Sequence, residues 1–231
     1  MAVMPDLPRW ELLLADSRAA ERRSQAESFP YDLDIDGMTI RVRAGVCSPR
    51  HFYGWRFYLP HLPSVSGQRV LEVGCGAGVA AIHFARTAAA VVACDIVPAC
   101  VEATRENAAL NGVTNLEAVA SDVFSGVQGR FDTIFWNIPW GFLPVDFPPA
   151  QLTPATLGNF SVGYATIARF LAGGPARMSP GGRLLVVVGE RTAHWPLLGA
   201  LLSPYTVEVL ARGMPSGDGY EHLRLLSLRP A

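Results

Sequence analysis

The stretch Val70-Leu71-Glu72-Val73-Gly74-Cys75-Gly76-Ala77-Gly78-Val79 constrains the fold more than any other part of the chain. A short apolar run holding one acid feeds into three alternating glycines, and the small and apolar residues from Val79 to Ala85 then read as a helix. This is a buried strand, a tight turn and a helix start. The glycines leave the turn backbone bare, so a ligand reaches its peptide N–H groups and the positive end of the helix. The pattern points to a nucleotide-like cofactor and leaves its identity open. A dinucleotide fingerprint also fits, read from Gly76, Gly78 and Ala81. Against it, Glu72 stands where an NAD-binding strand is ordinarily apolar.

Strand and helix signals alternate from residue 69 to residue 190, which calls for a parallel sheet covered on both faces. A second apolar run, Ala90 to Asp95, ends in an acid, and a carboxylate at a strand tip accepts hydrogen bonds from both hydroxyls of a ribose. Pro98 and Asn111-Gly112 bracket a helix over 97–111 whose inward stripe is Val97, Val101, Thr104 and Ala108. Leu116 to Ala120 form a third strand, closed by Ser121-Asp122-Val123. Phe131 to Trp136 form a fourth, running into Asn137-Ile138-Pro139-Trp140. A loop with Pro144, Pro148, Pro149 and Pro154 precedes a helix expected from about Ser161 to Met178. A strand over 183–188, a helix over 194–202, and a closing antiparallel pair at 205–210 and 223–228 complete the pattern.

Ahead of this core, residues 7–27 read as an amphipathic helix ended by Pro30, most simply a packing arm. The residues from Tyr31 to Val42 alternate on either side of Asp36-Gly37, a hairpin on a type I′ turn that sets Asp32 across from Arg41 and Leu33 across from Ile40. His51, Phe52, Tyr53, Trp55, Phe57 and Tyr58 follow, with His51 and Tyr53 the members carrying useful polar atoms. The expected division is a segment 1–65 covering the site, its aromatics lining the acceptor pocket, and a core 66–231.

Half of the 231 residues are hydrophobic and 17% are charged, enough for a substantial core. The formal charge is −1, and the 19 cationic residues, all arginine, are scattered, which counts against a nucleic-acid stripe. Residues 1–30 lack a signal peptide's apolar core, and no run reaches the ~18 residues of a membrane span. Cys47, Cys75, Cys94 and Cys100 show no paired spacing, so buried thiols are expected, with no metal site. A cytoplasmic protein without a membrane partner is the expectation.

The glycine turn with its upstream Glu72 resembles motif I of the class I S-adenosylmethionine (SAM) methyltransferases. Asn137-Ile138-Pro139-Trp140 resembles the (Asn/Asp)-Pro-Pro-aromatic motif of amino-methyltransferases, the group of HemK-like protein glutamine methyltransferases, "methyltransferase small" enzymes and N6-adenine enzymes. Glu106-Asn107-Ala108-Ala109-Leu110-Asn111-Gly112, Ser179-Pro180-Gly181-Gly182 and Gly45-Val46-Cys47-Ser48-Pro49-Arg50 are similar to the same pattern. The resemblance implies an α/β Rossmann-like fold with a mostly parallel seven-stranded sheet, helices on both faces, and a small N-terminal helix and hairpin. It implies SAM as cofactor, held by Glu72, Gly74, Gly76, Gly78, Asp95, Ile96, Asp122 and Val123. Asn137 is the implied catalytic residue, accepting from the target N–H groups, with Ile138, Pro139, Trp140, His51 and Tyr53 on the acceptor.

Ile138 departs from the family proline, which implies a bulkier wall, and the long N-terminal domain of HemK-like enzymes is missing from this sequence. The expectation is therefore N-methylation of a small metabolite or natural-product intermediate. The alternatives are O- or C-methylation with His51, Tyr53 or His194 as base, a protein glutamine or RNA base acceptor, an NAD(P)-dependent oxidoreductase, and a non-catalytic partner subunit.

Overall fold

The computed structural model describes residues 10–215 and 222–231. Helix α1 (Trp10–Gln25) leads into the hairpin β1 (Tyr31–Ile35) and β2 (Met38–Val42), then a single turn, α2 (Trp55–Tyr58). The alternating part runs β3 (Arg69–Val73), α3 (Val79–Ala85), β4 (Ala90–Asp95), α4 (Pro98–Leu110), β5 (Leu116–Ala120) and β6 (Phe131–Asn137). It continues through β7 (Gly141–Leu143), α5 (Pro154–Asn159), β8 (Phe160–Val162), α6 (Ala165–Arg177), β9 (Met178–Gly189), α7 (Trp195–Leu202), β10 (Tyr205–Gly213) and β11 (Leu223–Pro230).

Seven strands form one sheet in the order β10-β11-β9-β6-β3-β4-β5. The strands from β3 to β6 and β9 pair in parallel, and β11 runs against both β9 and β10. Successive side chains of a strand point to opposite faces. Val70, Phe135, Leu185 and Val187 therefore pack with α3, α4 and the N-terminal hairpin, whereas Leu71, Ile134 and Val186 pack with α6 and α7. Both faces are dry, which is why these strands read as nearly continuous apolar runs. The order of the strands reverses between β3 and β6, opening a crevice at their carboxyl ends.

The hairpin has the expected register, Asp32 opposite Arg41 and Leu33 opposite Ile40. Asp36 and Gly37 have φ of 52° and 71°, the two positive values a type I′ turn demands. The hairpin is fastened to the core by two asparagines one helical turn apart, at the end of α4. Asn107 Oδ1 accepts from the Arg41 N–H at 2.8 Å, and its Nδ2 donates to the carbonyls of Arg41 and Ala77 at 3.0 and 2.9 Å. Asn111 does the same at Thr39, accepting at 2.9 Å and donating at 2.8 Å. The amide side chains thus stand in for a neighbouring strand and close the edge of β2.

Two expectations are corrected. The helix expected from Ser161 starts at Ala165, because Phe160–Val162 pairs in parallel with Gly141–Leu143, and Gly163 and Tyr164 then turn in the left-handed region. The proline-rich stretch is also not all loop: Pro154 opens α5, capped by Thr153, whose Oγ1 accepts from the Thr156 N–H at 3.1 Å. The first residues of the expected N-terminal helix, 7–9, lie outside the described residues.

Asn107 is fully buried and its amide is fully engaged. Asn107→Ala leaves the Arg41 N–H and the Ala77 carbonyl unpaired, and is expected to cost about 2–4 kcal/mol in chemical denaturation. A loss below ~1 kcal/mol would show that water replaces the amide.

Candidate active site

A cleft of about 450 Å³ opens at the carboxyl ends of β3 to β6. Its floor is the glycine turn. Gly74, Gly76 and Gly78 have φ of 66°, 55° and 83°, a region that disfavours any side chain. A Cβ at Gly74 would stand 2.6 Å from Trp136 Nε1, and one at Gly78 would stand 3.0 Å from the Thr104 side chain. Gly76 lines the cleft and a Cβ there would meet nothing within 4 Å, so its backbone is open to the cleft.

Asp95, at the tip of β4, braces the turn. Its Oδ2 accepts from the Gly76 N–H at 3.0 Å and its Oδ1 from the Val97 N–H at 2.9 Å. It is 8% exposed, and burial raises its pKa against the lowering effect of these backbone donors. Glu72 lies deeper, 4% exposed, with Oε2 buried and unpartnered. Burial pushes its carboxyl well above the ordinary value, and the charge of Asp95 adds to the rise. Two acids crowded under a bare backbone turn make a pocket that favours a cationic ligand. This donor set fits the sulfonium, ammonium and ribose of SAM.

Ile96, 55% exposed, and Val123, with φ of 54°, line the cleft beside this turn. Asp122 lines it too, with both oxygens engaged by Arg169 of α6 at 2.8 Å, a pairing that holds its carboxyl below the usual value. Nothing in the sequence announces Arg169, because the contact joins residues from separate crossovers.

Elsewhere in the cleft, Asn137 ends β6 opposite Val187, and Asn137 and Pro139 both line it. Asn137 Oδ1 is buried with no hydrogen-bond partner. The loop after it is held by Tyr164, whose hydroxyl donates to the Trp140 carbonyl at 2.5 Å and accepts from the His194 N–H at 2.8 Å.

Four expected acceptor contacts are corrected. Ile138 is 2% exposed and points into the core with Val186, Val188 and Leu198, since strand alternation sends it away from the cleft. Trp140 donates from Nε1 to Thr192 Oγ1 at 2.9 Å and packs on Gly189, away from the cleft lining. His51 turns to Glu27 at 2.7 Å, and Tyr53 stands at the surface under Arg56. The aromatic walls come from Phe52, Trp55, Tyr58, Trp136 and Phe160 instead. Trp136 was legible only as a strand residue; its place next to Asn137 at the strand mouth was the available signal. His194 caps α7, accepting from the Leu197 N–H at 3.3 Å, and no histidine lines the cleft among the described residues. The four cysteines are free thiols, no cluster of metal-binding side chains occurs among the described residues, and no described helix is long and apolar enough to cross a membrane.

Residues 37–142 match the methyltransferase small domain. Ribosomal RNA small subunit methyltransferase C of Escherichia coli (strain K12) is 41% identical over 118 residues, 50% of this chain and 34% of that protein. The match thus spans about a third of the length of the curated relatives. The 16S rRNA N2 G1207 methyltransferase of T. thermophilus, solved with AdoMet and guanosine, superposes with a TM-score of 0.57 at 21% identity, covering 87% of this chain and 50% of that one. The tRNA m1G37 methyltransferase of M. jannaschii gives 0.59 at 18% identity, covering 87% and 56%. These neighbours establish an α/β Rossmann-like class I methyltransferase fold. The expectation of a small-metabolite acceptor is corrected: the curated relatives are RNA enzymes, and Ile138, whose bulk implied a different acceptor, does not wall the cleft.

A carboxyl with a raised folded-state pKa favours folding fully below the ordinary carboxylate range, and that contribution is lost as pH rises toward the folded-state value. Thermal melts of the ligand-free protein between about pH 5 and about pH 8 are expected to show this decline, and Glu72→Gln to reduce it. An unchanged pH profile would exclude Glu72 as its source. Asp95→Ala, which loses both backbone bonds, is expected to weaken S-adenosylhomocysteine roughly tenfold or more by calorimetry.

Proposed function

We propose that this chain, which carries a methyltransferase small domain in a class I SAM-dependent methyltransferase fold, methylates the exocyclic amine of a nucleobase in RNA. The observation that carries the reading is Asn137 Oδ1, a buried acceptor without a partner, in the same cleft as the glycine turn and Asp95. A buried amide oxygen left unpaired is costly unless a ligand supplies the donor. An amine N–H is such a donor. The names of the curated relatives support RNA as the molecule that carries it.

When bound, SAM supplies an electrophilic methyl group on a sulfonium. The Gly74, Gly76 and Gly78 backbone would cradle it, Glu72 would balance its positive charge and Asp95 would take its ribose. Ile96 and Val123 would flank the adenine, with Asp122, steadied by Arg169, beside its amino group. Asn137 would accept one N–H of the target amine and so fix the direction in which its nitrogen lone pair points. With no histidine among the described cleft residues, the proton given up by the amine would leave to solvent. Pro139 fixes the backbone φ just beyond Asn137. Phe52, Trp55 and Phe160 offer apolar faces to a planar base. Alignment of this kind supplies up to ~7–11 kcal/mol of barrier reduction. An oxygen or carbon acceptor would find no histidine base among the described cleft residues.

The test is incubation with methyl-labelled SAM and unmodified small-subunit ribosomal RNA, followed by digestion to nucleosides and mass spectrometry. Label on a base amine is the expected result, and label absent from RNA would remove the reading. Asn137→Ala is expected to lower kcat on the order of 100-fold while S-adenosylhomocysteine affinity changes by less than about threefold. Equal losses in both would make Asn137 part of the cofactor site.

A further inference from the structure

Among the described residues, three of the buried side-chain polar atoms without a partner belong to residues that line the cleft: Glu72 Oε2, Asn137 Oδ1 and Ser161 Oγ. The first belongs to the cofactor strand and the second to the methyl acceptor. The third is unaccounted for. Ser161 is 3% exposed and sits on β8, between Phe160 and Val162, which pack into a satellite core with Leu14 of α1 and Leu143 of β7.

The backbone around Ser161 is fixed. It pairs with Phe142 in the short parallel ladder, and its carbonyl accepts from the Tyr164 N–H at 3.4 Å. Tyr164 is the same residue whose hydroxyl holds the Trp140 carbonyl beyond Asn137. Ser161 and Asn137 are thus mounted on one frame, two buried groups whose hydrogen-bonding capacity is unused. A buried hydroxyl with no partner weakens a fold, so its burial in a ligand cleft points to a partner that arrives with the ligand.

We propose that Ser161 is a specificity-determining residue, its hydroxyl donating to the ring nitrogen adjacent to the amine that Asn137 holds. This rests on the amine reading above. Asn137 Oδ1 accepts only, and a serine hydroxyl donates. An amine next to an unprotonated ring nitrogen presents the complementary donor and acceptor side by side. Aminated nucleobases carry that edge. A hydroxyl or carbon nucleophile without an N–H does not. A site built to pair both groups rejects a ligand that leaves one of them unmatched.

The test compares wild type with Ser161→Ala on unmodified small-subunit ribosomal RNA and labelled SAM. The variant is expected to lose roughly tenfold or more in kcat/KM. Its S-adenosylhomocysteine affinity should stay within about twofold, and its thermal midpoint should be unchanged or higher, because an unpaired buried hydroxyl has been removed. Digestion should show a smaller share of the label on the base amine that wild type prefers. A lowered midpoint with an unchanged product distribution assigns Ser161 a structural role and overturns the proposal, as does wild-type kcat/KM in the variant. Wild type that fails to label RNA removes the amine reading and this inference together, whereas labelling by wild type with no effect of Ser161→Ala removes this inference alone.

Discussion

The carboxylate of Asp95, bonded to the N–H groups of Gly76 and Val97, is the contact on which the site depends. It ties the tip of one parallel strand to the turn leaving its neighbour. With that tie, three glycines in left-handed conformations hold a single shape rather than an ensemble of turns. The cleft floor, the start of α3 and the entry to α4 all take their positions from it. The same carboxylate is buried at a desolvation cost that the backbone donors only partly offset.

Glu72 compounds that cost. Two buried acids and an unpartnered oxygen under the turn make the ligand-free site electrostatically unfavourable. A cationic ligand bound there would offset that penalty. Elsewhere in the cleft the unpartnered groups are neutral. Asn137 and Ser161 keep unused hydrogen-bonding atoms inside the protein, positioned by Tyr164 and the β7–β8 ladder.

The roof of the cleft is a separate packing unit. Leu14 of α1 meets Leu143, Phe147 and Phe160, with Trp10 set edge-on to Phe147 at 5.8 Å. This small core packs the proline-rich stretch after the Asn137 loop, with α1 in contact with α5 and β7. Phe52 and Trp55 bring a second wall from the segment after the hairpin, which shares the main core through Phe57 and Tyr58.

The sequence by itself determined the sheet, the glycine turn, the hairpin register and the positions of Asp95 and Asn137 at strand ends. Those features are written in short-range patterns: apolar runs, positive-φ residues, and polar residues at strand ends, where local sterics and alternation leave few alternatives. It did not determine which way the side chains around Asn137 face. Ile138 and Trp140, in the segment that resembles the amino-methyltransferase motif, turn into the protein, and His51 finds Glu27. Arg169, Ser161 and Tyr164 entered the site only through contacts between distant segments. A side chain's direction at a strand end depends on which neighbour can bury or bond it, and that neighbour is chosen by packing across the chain, where sequence spacing carries no distance.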